Sequence, residues 1–458
     1  MEQNKMGVMP VNKLLISMSL PMMASMMVQA LYNIIDSMFV AQLSENALTA
    51  VSLAFPAQNL MIAVAAGTGV GMNALISRSL GEGNRERANL IANNGIILLF
   101  LSAVVCGILS VFGSRLFFSL QTTDAEIIQY GTEYLQLAGG ISFGIYLQFA
   151  FERILQSTGR TFYSMIAQGV GAITNIILDP IMIFGWFGCP AMGIRGAALA
   201  TIVGQFFGAG IAFWFNHKKN HDIVINPKKY FLNGHAVKSI YAIGIPSICM
   251  ASIGSIMTFG MNKILIAFSS TAAAVFGVYF KLQSFIFMPV FGMNNGMVPI
   301  IGFNYGARKP DRLMQTMRLA TVYAMTLMTL GCIVFWTLTP QLLGIFNASE
   351  QMLAIGIPAL RLISLSFLMA GFNIIRISTM QALGHGVISL VISVMRQLVV
   401  LLPCAFVFSR VWGLNATWAA FPIAEIAALM VTVFFFRKVY KNEIQPLFDE
   451  HEAHNVQA

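Results

Sequence analysis

The chain reads as an all-α polytopic membrane protein of about twelve transmembrane helices, arranged as two pseudo-symmetric six-helix bundles. Three observations predict this. Its 458 residues are 57% apolar and only 10% charged, where soluble domains carry roughly a quarter charged. Apolar stretches of about 20 residues recur along the whole chain, each long enough to cross a hydrocarbon core of ~30 Å. The second half also repeats the first at a shift that carries Pro21 onto Pro246. A transmembrane barrel would show apolar/polar alternation in segments of about ten residues, and that pattern is absent.

Turn signals divide the chain into spans. The first, 12–43, ends at the polar turn "QLSENAL"; the second, 46–79, runs into a loop bearing Arg78, Arg85 and Arg87. The third, 86–113, contains "GIILLFLSAVVCGILSVFG", and the fourth, 124–157, closes on "ILQSTGR". The fifth, 160–185, stops at the Gly- and Pro-containing loop "GWFGCPAMG", and the sixth, 193–217, contains "GAALATIVGQFFGAGIAFWF". The one sizeable polar connector, "NHKKNHDIVINPKKYFLNGHAVK", follows at the midpoint. Beyond it, 235–268 ends at "AFSSTAAAV", 271–303 at Arg308, Lys309 and Arg312, and 309–339 leads to 348–384, which closes on "MQALGHG". The last two are 387–409 and 412–442, the latter ending at Arg437, Lys438 and Lys441. The expected organisation is an N-terminal bundle at 1–217, a cytoplasmic linker at 218–234, a C-terminal bundle at 235–442 and a cytoplasmic tail at 443–458.

The repeat needs no gaps over most of its length. One shift pairs Phe55 with Phe280, Gln58 with Gln283, Gly67 with Gly292, Gly71 with Gly296, Gly81 with Gly306 and Arg87 with Arg312, and later Gln156 with Gln381. Beyond that the register slips, because "GWFGCPAMG" is longer than its counterpart. Six spans per half is an even number, so both halves share one orientation. Parallel repeats of this kind mark transporters, with the substrate path between the halves. The glycines Gly67, Gly69 and Gly71 lack the Lys-Ser/Thr and strand context of a phosphate loop, and small residues in lipid let helices approach closely.

The net charge of +9 reports topology, not a nucleic-acid partner. Lys and Arg occupy alternate loops, including Lys218, Lys219, Lys228, Lys229 and Lys238 in the connector. This alternation is the positive-inside pattern and predicts a multi-pass protein of the cytoplasmic (inner) membrane with both termini in the cytoplasm. Five scattered cysteines form no CxxC or Cys/His spacing, so neither a disulfide framework nor a metal site is indicated. The polar opening "MEQNKMGVMPVNKLL" carries no cleavage signal, so the first helix is expected to direct insertion.

Two carboxylates sit inside apolar spans: Asp36 in "LYNIIDSMFVAQL" and Asp179 in "ITNIILDPIMIFG". Charge in hydrocarbon is expensive and is kept where it binds something. Asn33 and Asp36 are three apart and Asn175 and Asp179 four apart, so each pair shares a helix face. An amide beside a carboxylate can support it by hydrogen bonding or complete an oxygen cage for Na+. Pro180 has no N–H and frees a carbonyl one turn upstream, near Ile176. The plainer alternative has Asp179 capping a broken helix and Asp36 bonding a neighbouring backbone. Glu152 and Arg153 are placed near the inner end of the fourth span, where long side chains snorkel. Glu425, after Pro422, either pairs with a buried Arg or meets substrate.

"SLPMMASMMVQALYNIIDSMFVAQLSENALTAVSLAFPAQNLMIAVAAGTGVGMNALISRSLGEGNRERAN" resembles the opening of multidrug and toxic compound extrusion (MATE) transporters. "ILQSTGR", "TNIILDPIMIFG", "MGIRGAALATIVGQ" and, in the second half, "VFGVYFKLQSFIFMPVFGMNNGMVPIIGFNYGARK" and "MQALGHG" resemble the same family. The likeness covers nearly the whole chain and is nearest the bacterial MepA-type branch. It implies a MATE/MOP-type fold of two bundles in a V, and export of bulky, often cationic, amphipathic compounds in exchange for H+ or Na+ by alternating access. It further implies a cation-coupling site at Asp36, Asn175, Asp179 and Thr201, with Na+ held by the first three if Na+ is the ion. Acids in the C-terminal bundle, used by other members, find no counterpart here, since Met261 stands opposite Asp36 and Cys404 opposite Asp179.

Lys263, Lys281, Arg361, Arg376 and Arg396 lie within the second half. With Glu425 they are candidates for a substrate cavity that accepts an anionic group; pairing with helix carbonyls, Glu425 or lipid headgroups is the alternative. The many Met and Phe residues either line an adaptable pocket or simply pack and face lipid. No ATP-binding motif or nucleophile constellation appears, so no enzyme and no cofactor are expected. The partners expected are a small-molecule substrate and the bilayer, for a protein acting as a monomer. Two rival readings stand: a flippase for lipid-linked precursors, or an exporter of anionic compounds, on a related fold; and an intramembrane enzyme with an Asp36/Asp179 dyad, which requires the two carboxylates to meet.

Overall fold

A computed structural model describes residues 4–449. Every regular element among them is helical, as lipid demands of a backbone that must satisfy its own hydrogen bonds. After a short turn at Lys5–Val8, the helices are α1 (Val11–Ala41), α2 (Glu45–Gly81), α3 (Arg85–Ser119), α4 (Ala125–Gly140), α5 (Phe143–Ser157), α6 (Thr161–Phe184) and α7 (Ile194–Lys219). The second half follows with α8 (Gly234–Ile266), α9 (Ser270–Gly306), α10 (Pro310–Thr337), α11 (Glu350–Ser364), α12 (Phe367–Ala382), α13 (Gly386–Val411) and α14 (Leu414–Asp449). Ten of these are long and apolar enough to cross a membrane, and the pair α11–α12, bent by 44°, makes an eleventh. In the first half α4 and α5, interrupted at Ile141 and Ser142, hold the equivalent place.

The repeat reaches the helix ends. Ser44 caps α2 by accepting from Ala47 N at 3.0 Å, and Ser269 caps α9 by accepting from Ala272 N at 3.1 Å. Their dihedrals nearly coincide, at φ −168°, ψ 161° and φ −167°, ψ 157°. Asp124 caps α4 and Ser349 caps α11 in the same relation. A side-chain oxygen at this position satisfies one of the donors that a helix start leaves open.

The fourth and tenth spans, expected as single helices over 124–157 and 348–384, are each broken. At the second break Ser364 and Ser366 donate to the carbonyls of Arg361 (2.9 Å) and Ile363 (2.6 Å). Such bonds compete with the helical ladder. α13 carries a different irregularity, a π-helical stretch at Met395–Leu401 just before Pro403. Prolines disturb the turn behind them, and the wider turn accommodates this one.

Contacts gather the chain into two compact units, one of Ala24–Ile248 and one of the residues up to Met23 together with those from Cys249 onward. The division thus falls inside α1 and α8, not in the connector at 218–234. Each of those helices carries an internal proline, Pro21 or Pro246, in the turn before the division. Within the first unit, a Cβ on Gly67 or Gly71 would fall 2.9 Å from Gly244 O or 2.3 Å from Ile240 O, so α2 meets the start of α8 backbone to backbone. Within the second, Gly292 and Gly296 admit the backbone of Met23 and Ser19 in the same way. These glycines serve close helix approach, as their sequence context indicated.

The connector is fastened to the first unit. Asn89 and Asn93 accept from Val224 N (2.8 Å) and Asn226 N (2.7 Å), Asn93 donates to Val224 O (2.8 Å), and Asn94 accepts from Asn233 N (2.8 Å). Asp222 pairs with Arg160 at 2.6 Å. Of the tail expected at 443–458, residues up to 449 continue α14 and the rest lie outside the described residues.

Candidate functional site

In the first unit the four residues singled out from the sequence come together. Asn175 and Asp179 are buried on one face of α6, at 3% and 0% exposure. Asn175 Nδ2 donates to Asp179 Oδ1 and to Thr201 Oγ1 of α7, each at 3.3 Å, while Thr201 itself donates to Ala197 O. Pro180 is inside α6 and buried, so the Ile176 carbonyl has no N–H at position 180 to accept from. Asp36 of α1 is half-buried, and its carboxyl comes within hydrogen-bonding reach of that of Asp179. The two carboxylates do meet.

Oxygens without partners define what the cluster lacks. Asp36 Oδ1, Asp179 Oδ2 and Asn175 Oδ1 are all buried and accept no hydrogen bond among the described residues. Two neighbouring acids with acceptors to spare could be satisfied by a cation, a proton or a small metal ion, because buried charges require pairing. No cluster of three or more His, Cys, Asp or Glu suited to a resident metal occurs among the described residues.

Asp36 and Thr201 open onto a cavity of about 470 Å³ inside this unit, lined also by Gln29, Tyr32, Asn33, Phe55, Gln58, Met61, Tyr134 and Gln205. Asn33 is exposed on the cavity wall, and its carbonyl accepts from Ser37 at 2.9 Å. The wall is mixed: aromatic and thioether surface, with amides and phenols such as Gln58, which donates to the Tyr134 hydroxyl at 3.1 Å. Such a lining suits amphipathic molecules. The amides and phenols were not anticipated from sequence, yet a signal existed. Gln29, Tyr32, Asn33 and Asp36 are spaced as one helical face, a polar stripe on an otherwise apolar span.

Glu152 and Arg153, expected to snorkel at the inner end of their span, are instead both buried, at 7% and 8% exposure. Gln148 donates to Glu152 at 2.8 Å, and Arg153 donates to Gln156, which donates to Ser164 at 3.0 Å. Amides of α5, and through Gln156 the Ser164 hydroxyl of α6, replace the water that snorkelling would have supplied.

In the second unit Glu425 of α14 is buried at 8% exposure and bridges Arg396 of α13 at 2.5 Å. Asn373 of α12 donates to its other oxygen at 2.8 Å. Arg396 lies in the π-helical turn. This half therefore does hold a buried acid, but one already neutralised by an arginine. Lys263 is exposed beside a cavity of about 410 Å³ with Phe268, Phe406 and Arg410, 5.0 Å from the Phe259 ring. Lys281, also exposed, lies 5.8 Å from Phe346. Arg361 lies 5.9 Å from Trp336 with its Nε buried and unpartnered. Arg376 is stacked against Phe372 and Phe436.

The MatE family model matches residues 21–181 and again 246–407, once in each half. The multidrug export protein MepA of Staphylococcus haemolyticus is 24% identical over 423 residues, covering 92% of each chain. The probable multidrug resistance protein NorM of Thermotoga maritima is 27% identical over 422 residues, covering 91% of this chain and 90% of its own. Among solved structures, a MOP superfamily transporter from Pyrococcus furiosus, described as having a binding pocket of reversed polarity, superposes with a TM-score of 0.90 at 26% identity, over 98% of this chain and 99% of its own. A MATE transporter in complex with MaL6 superposes with a TM-score of 0.89 at 27% identity, over 98% of this chain and 100% of its own.

Proposed function

This chain belongs to the MatE family of multi-span membrane transporters, and from that footing we propose that it is a secondary active exporter of bulky amphipathic compounds, often cationic, driven by H+ or Na+ moving inward. Membership places it among transporters, not enzymes, so the meeting of Asp36 and Asp179 is read as ion coupling and not as a catalytic dyad. The observation that carries the proposal is the set of three buried, unpartnered oxygens on Asp36, Asn175 and Asp179 beside Thr201.

In this reading Asp36 and Asp179 share the coupling ion. A proton would bridge the two carboxyls; Na+ would take oxygens from Asp36, Asp179 and Asn175, with Thr201 holding the Asn175 side chain in place. Pro180 leaves α6 one backbone bond short beside the site, which lowers the resistance of that turn to changing shape. With the ion bound, the cluster is less charged and packs closely; without it, two carboxylates repel and draw in water or a cationic drug. An ion that binds one packing better than the other shifts their populations, which is what alternating access requires. Asn33 and the Gln29–Tyr32 stripe line the adjoining cavity and would contact cargo. The same proposal puts the protein in the cytoplasmic membrane as a monomer with both termini inside.

A second reading, export of an anionic compound or a lipid-linked precursor, draws on the cations of the second unit, above all the unpartnered Nε of Arg361, and on the reversed pocket polarity described for the Pyrococcus furiosus transporter. Reconstitution into liposomes with separately imposed pH and Na+ gradients decides between them. Movement of ethidium driven by one gradient, and lost in Asp36→Asn, supports cation-coupled export; unchanged transport in the variant contradicts it, and movement of an anionic dye alone favours the second reading.

A further inference from the structure

Several arginines of this chain are answered by carboxylates: Arg396 by Glu425, Arg160 by Asp222, Arg195 by Glu133, Arg78 and Arg87 by Glu82. Arg376 of α12 is not. Its guanidinium lies between two rings, 4.8 Å from the centroid of Phe372 and 4.7 Å from that of Phe436 on α14. With two rings against it, Nε and Nη1 are buried and have no hydrogen-bond partner among the described residues. On α10, which packs against α12, Arg318 is a second cation and is exposed. Two guanidiniums on adjoining helices, neither paired with a carboxylate among the described residues, call for an anion.

Their position says which kind. Arg376 is six residues before the end of α12 at Ala382, and Arg318 eight residues after the start of α10 at Pro310. At about 1.5 Å per residue, both lie roughly 9–12 Å from helix ends, at the end of the unit that carries Arg308, Lys309, Arg437, Lys438 and Lys441. With 28 residues, α10 is about 42 Å long and outreaches a ~30 Å hydrocarbon core by about 6 Å at each end. This level therefore lies just inside the core, from which a long arginine side chain reaches headgroup phosphates. On α14 the apolar side chains Met430 and Phe434 are exposed at 63% and 66%, a surface on which acyl chains can lie.

We propose that Arg376 and Arg318 form a phosphate-binding site among α10, α12 and α14, and that its occupant is the headgroup phosphate of an acidic phospholipid. The planar fork of Arg376, held against its two rings with Nε and Nη1 unpartnered, has the paired N–H donors with which guanidinium binds phosphate bidentately. Arg318 supplies the second charge. A zwitterionic lipid carries the same phosphate but would bring its ammonium against two cations, so net negative lipids are selected. Basic pockets between membrane helices at a headgroup level recognise such lipids. The site is independent of what the protein exports.

Binding is measured on the purified full-length protein in nanodiscs or detergent, by native mass spectrometry and thermal shift. Phosphatidylglycerol, phosphatidylcholine and inorganic phosphate are titrated separately. Wild type should retain phosphatidylglycerol adducts and gain thermal stability from it, with little response to phosphatidylcholine. Arg376→Gln should weaken phosphatidylglycerol binding about tenfold, the loss of a charge-assisted contact, and Arg376→Lys should recover it only in part. Because Arg376 is packed between rings, the exposed Arg318→Gln provides an arm that leaves the interior intact and should lose affinity too. Equal phosphatidylglycerol binding by wild type and both glutamine variants would overturn the site. Saturable inorganic phosphate binding lost in Arg376→Gln, with no preference for phosphatidylglycerol, would overturn the lipid as its occupant and put a soluble phosphate compound there.

Discussion

Gly204 sets how closely α7 can approach α6, and so how well the proposed ion site is assembled. A Cβ added there would fall 2.7 Å from Gly171 O, 3.1 Å from Asn175 Cβ and 3.3 Å from Asn175 N. The first distance is shorter than real Cβ atoms tolerate, and its partner is backbone, which cannot swing aside. Gly204→Ala therefore forces the two helices apart by some tenths of an ångström at the level of Asn175. The Asn175–Thr201 bond, at 3.3 Å, is already at the long end of the useful range, and the displacement breaks it. Overpacking of this kind typically costs about 1–3 kcal/mol and the lost bond about 0.5–1.5 kcal/mol. Gly169 on α6 and Gly210 on α7 are internal controls, since a Cβ at either meets nothing within 4 Å. Alanine at those positions should be neutral, or stabilising by up to roughly 1 kcal/mol through helix propensity. Thermal unfolding of the purified protein and gradient-driven ethidium export, measured on all three variants, test the argument. Gly204→Ala with wild-type stability and export, or controls as damaged as Gly204→Ala, would refute it.

Three further outcomes follow from the geometry. Glu425→Gln leaves Arg396 buried without its counter-charge and should destabilise by about 3–5 kcal/mol, whereas an Arg396→Met/Glu425→Leu double variant should lose less than that; thermal midpoints compare them. Asn93→Ala removes the acceptor for Asn226 N and the donor to Val224 O, so trypsin should cut at Lys218, Lys219, Lys228 or Lys229 several-fold faster than in wild type, with export retained. Asp36→Asn and Asp179→Asn should each abolish the ion-driven part of export, and the double variant should be no worse than either, because residues that act as one unit are not additive; additive losses would separate their roles.

The spans were legible because a bilayer allows few alternatives: apolar length and loop charge carry most of the information. The repeat was legible for a related reason. Proline, glycine and capping residues are tied to particular backbone positions, and Ser44 and Ser269 prove to be caps of matching geometry. Asp36, Asn175 and Asp179 stood out because ionisable groups in hydrocarbon are rare. The amides and phenols around them did not, since Gln58 or Tyr134 in an apolar span resembles ordinary packing until its neighbours are known. The interruption of the fourth and tenth spans was hidden for a subtler cause. Serines such as Ser142, Ser364 and Ser366 are tolerated inside membrane helices, and only the folded backbone, with the local bonds of Ser364 and Ser366 at the second break, shows that the helix stops. The burial of Glu152 and Arg153 is supported by Gln148 and Gln156 at i,i+4 and i,i+3 on the same helix, a spacing that was present in the sequence, and by Ser164 of the following helix, which was not legible there. The division of α1 and α8 between units likewise depends on glycine contacts far apart in the chain.

The central claim is that the Asp36–Asp179 pair itself gains and loses the coupling ion. Infrared difference spectroscopy on the purified protein, recording the carboxyl C=O band as pH is stepped and as Na+ is added, observes that event without transport. The account predicts a protonated-carboxyl band that appears on acidification, is displaced by Na+ if Na+ is the coupling ion, and is abolished or shifted in both Asp36→Asn and Asp179→Asn. A band that is unchanged in both variants would contradict it.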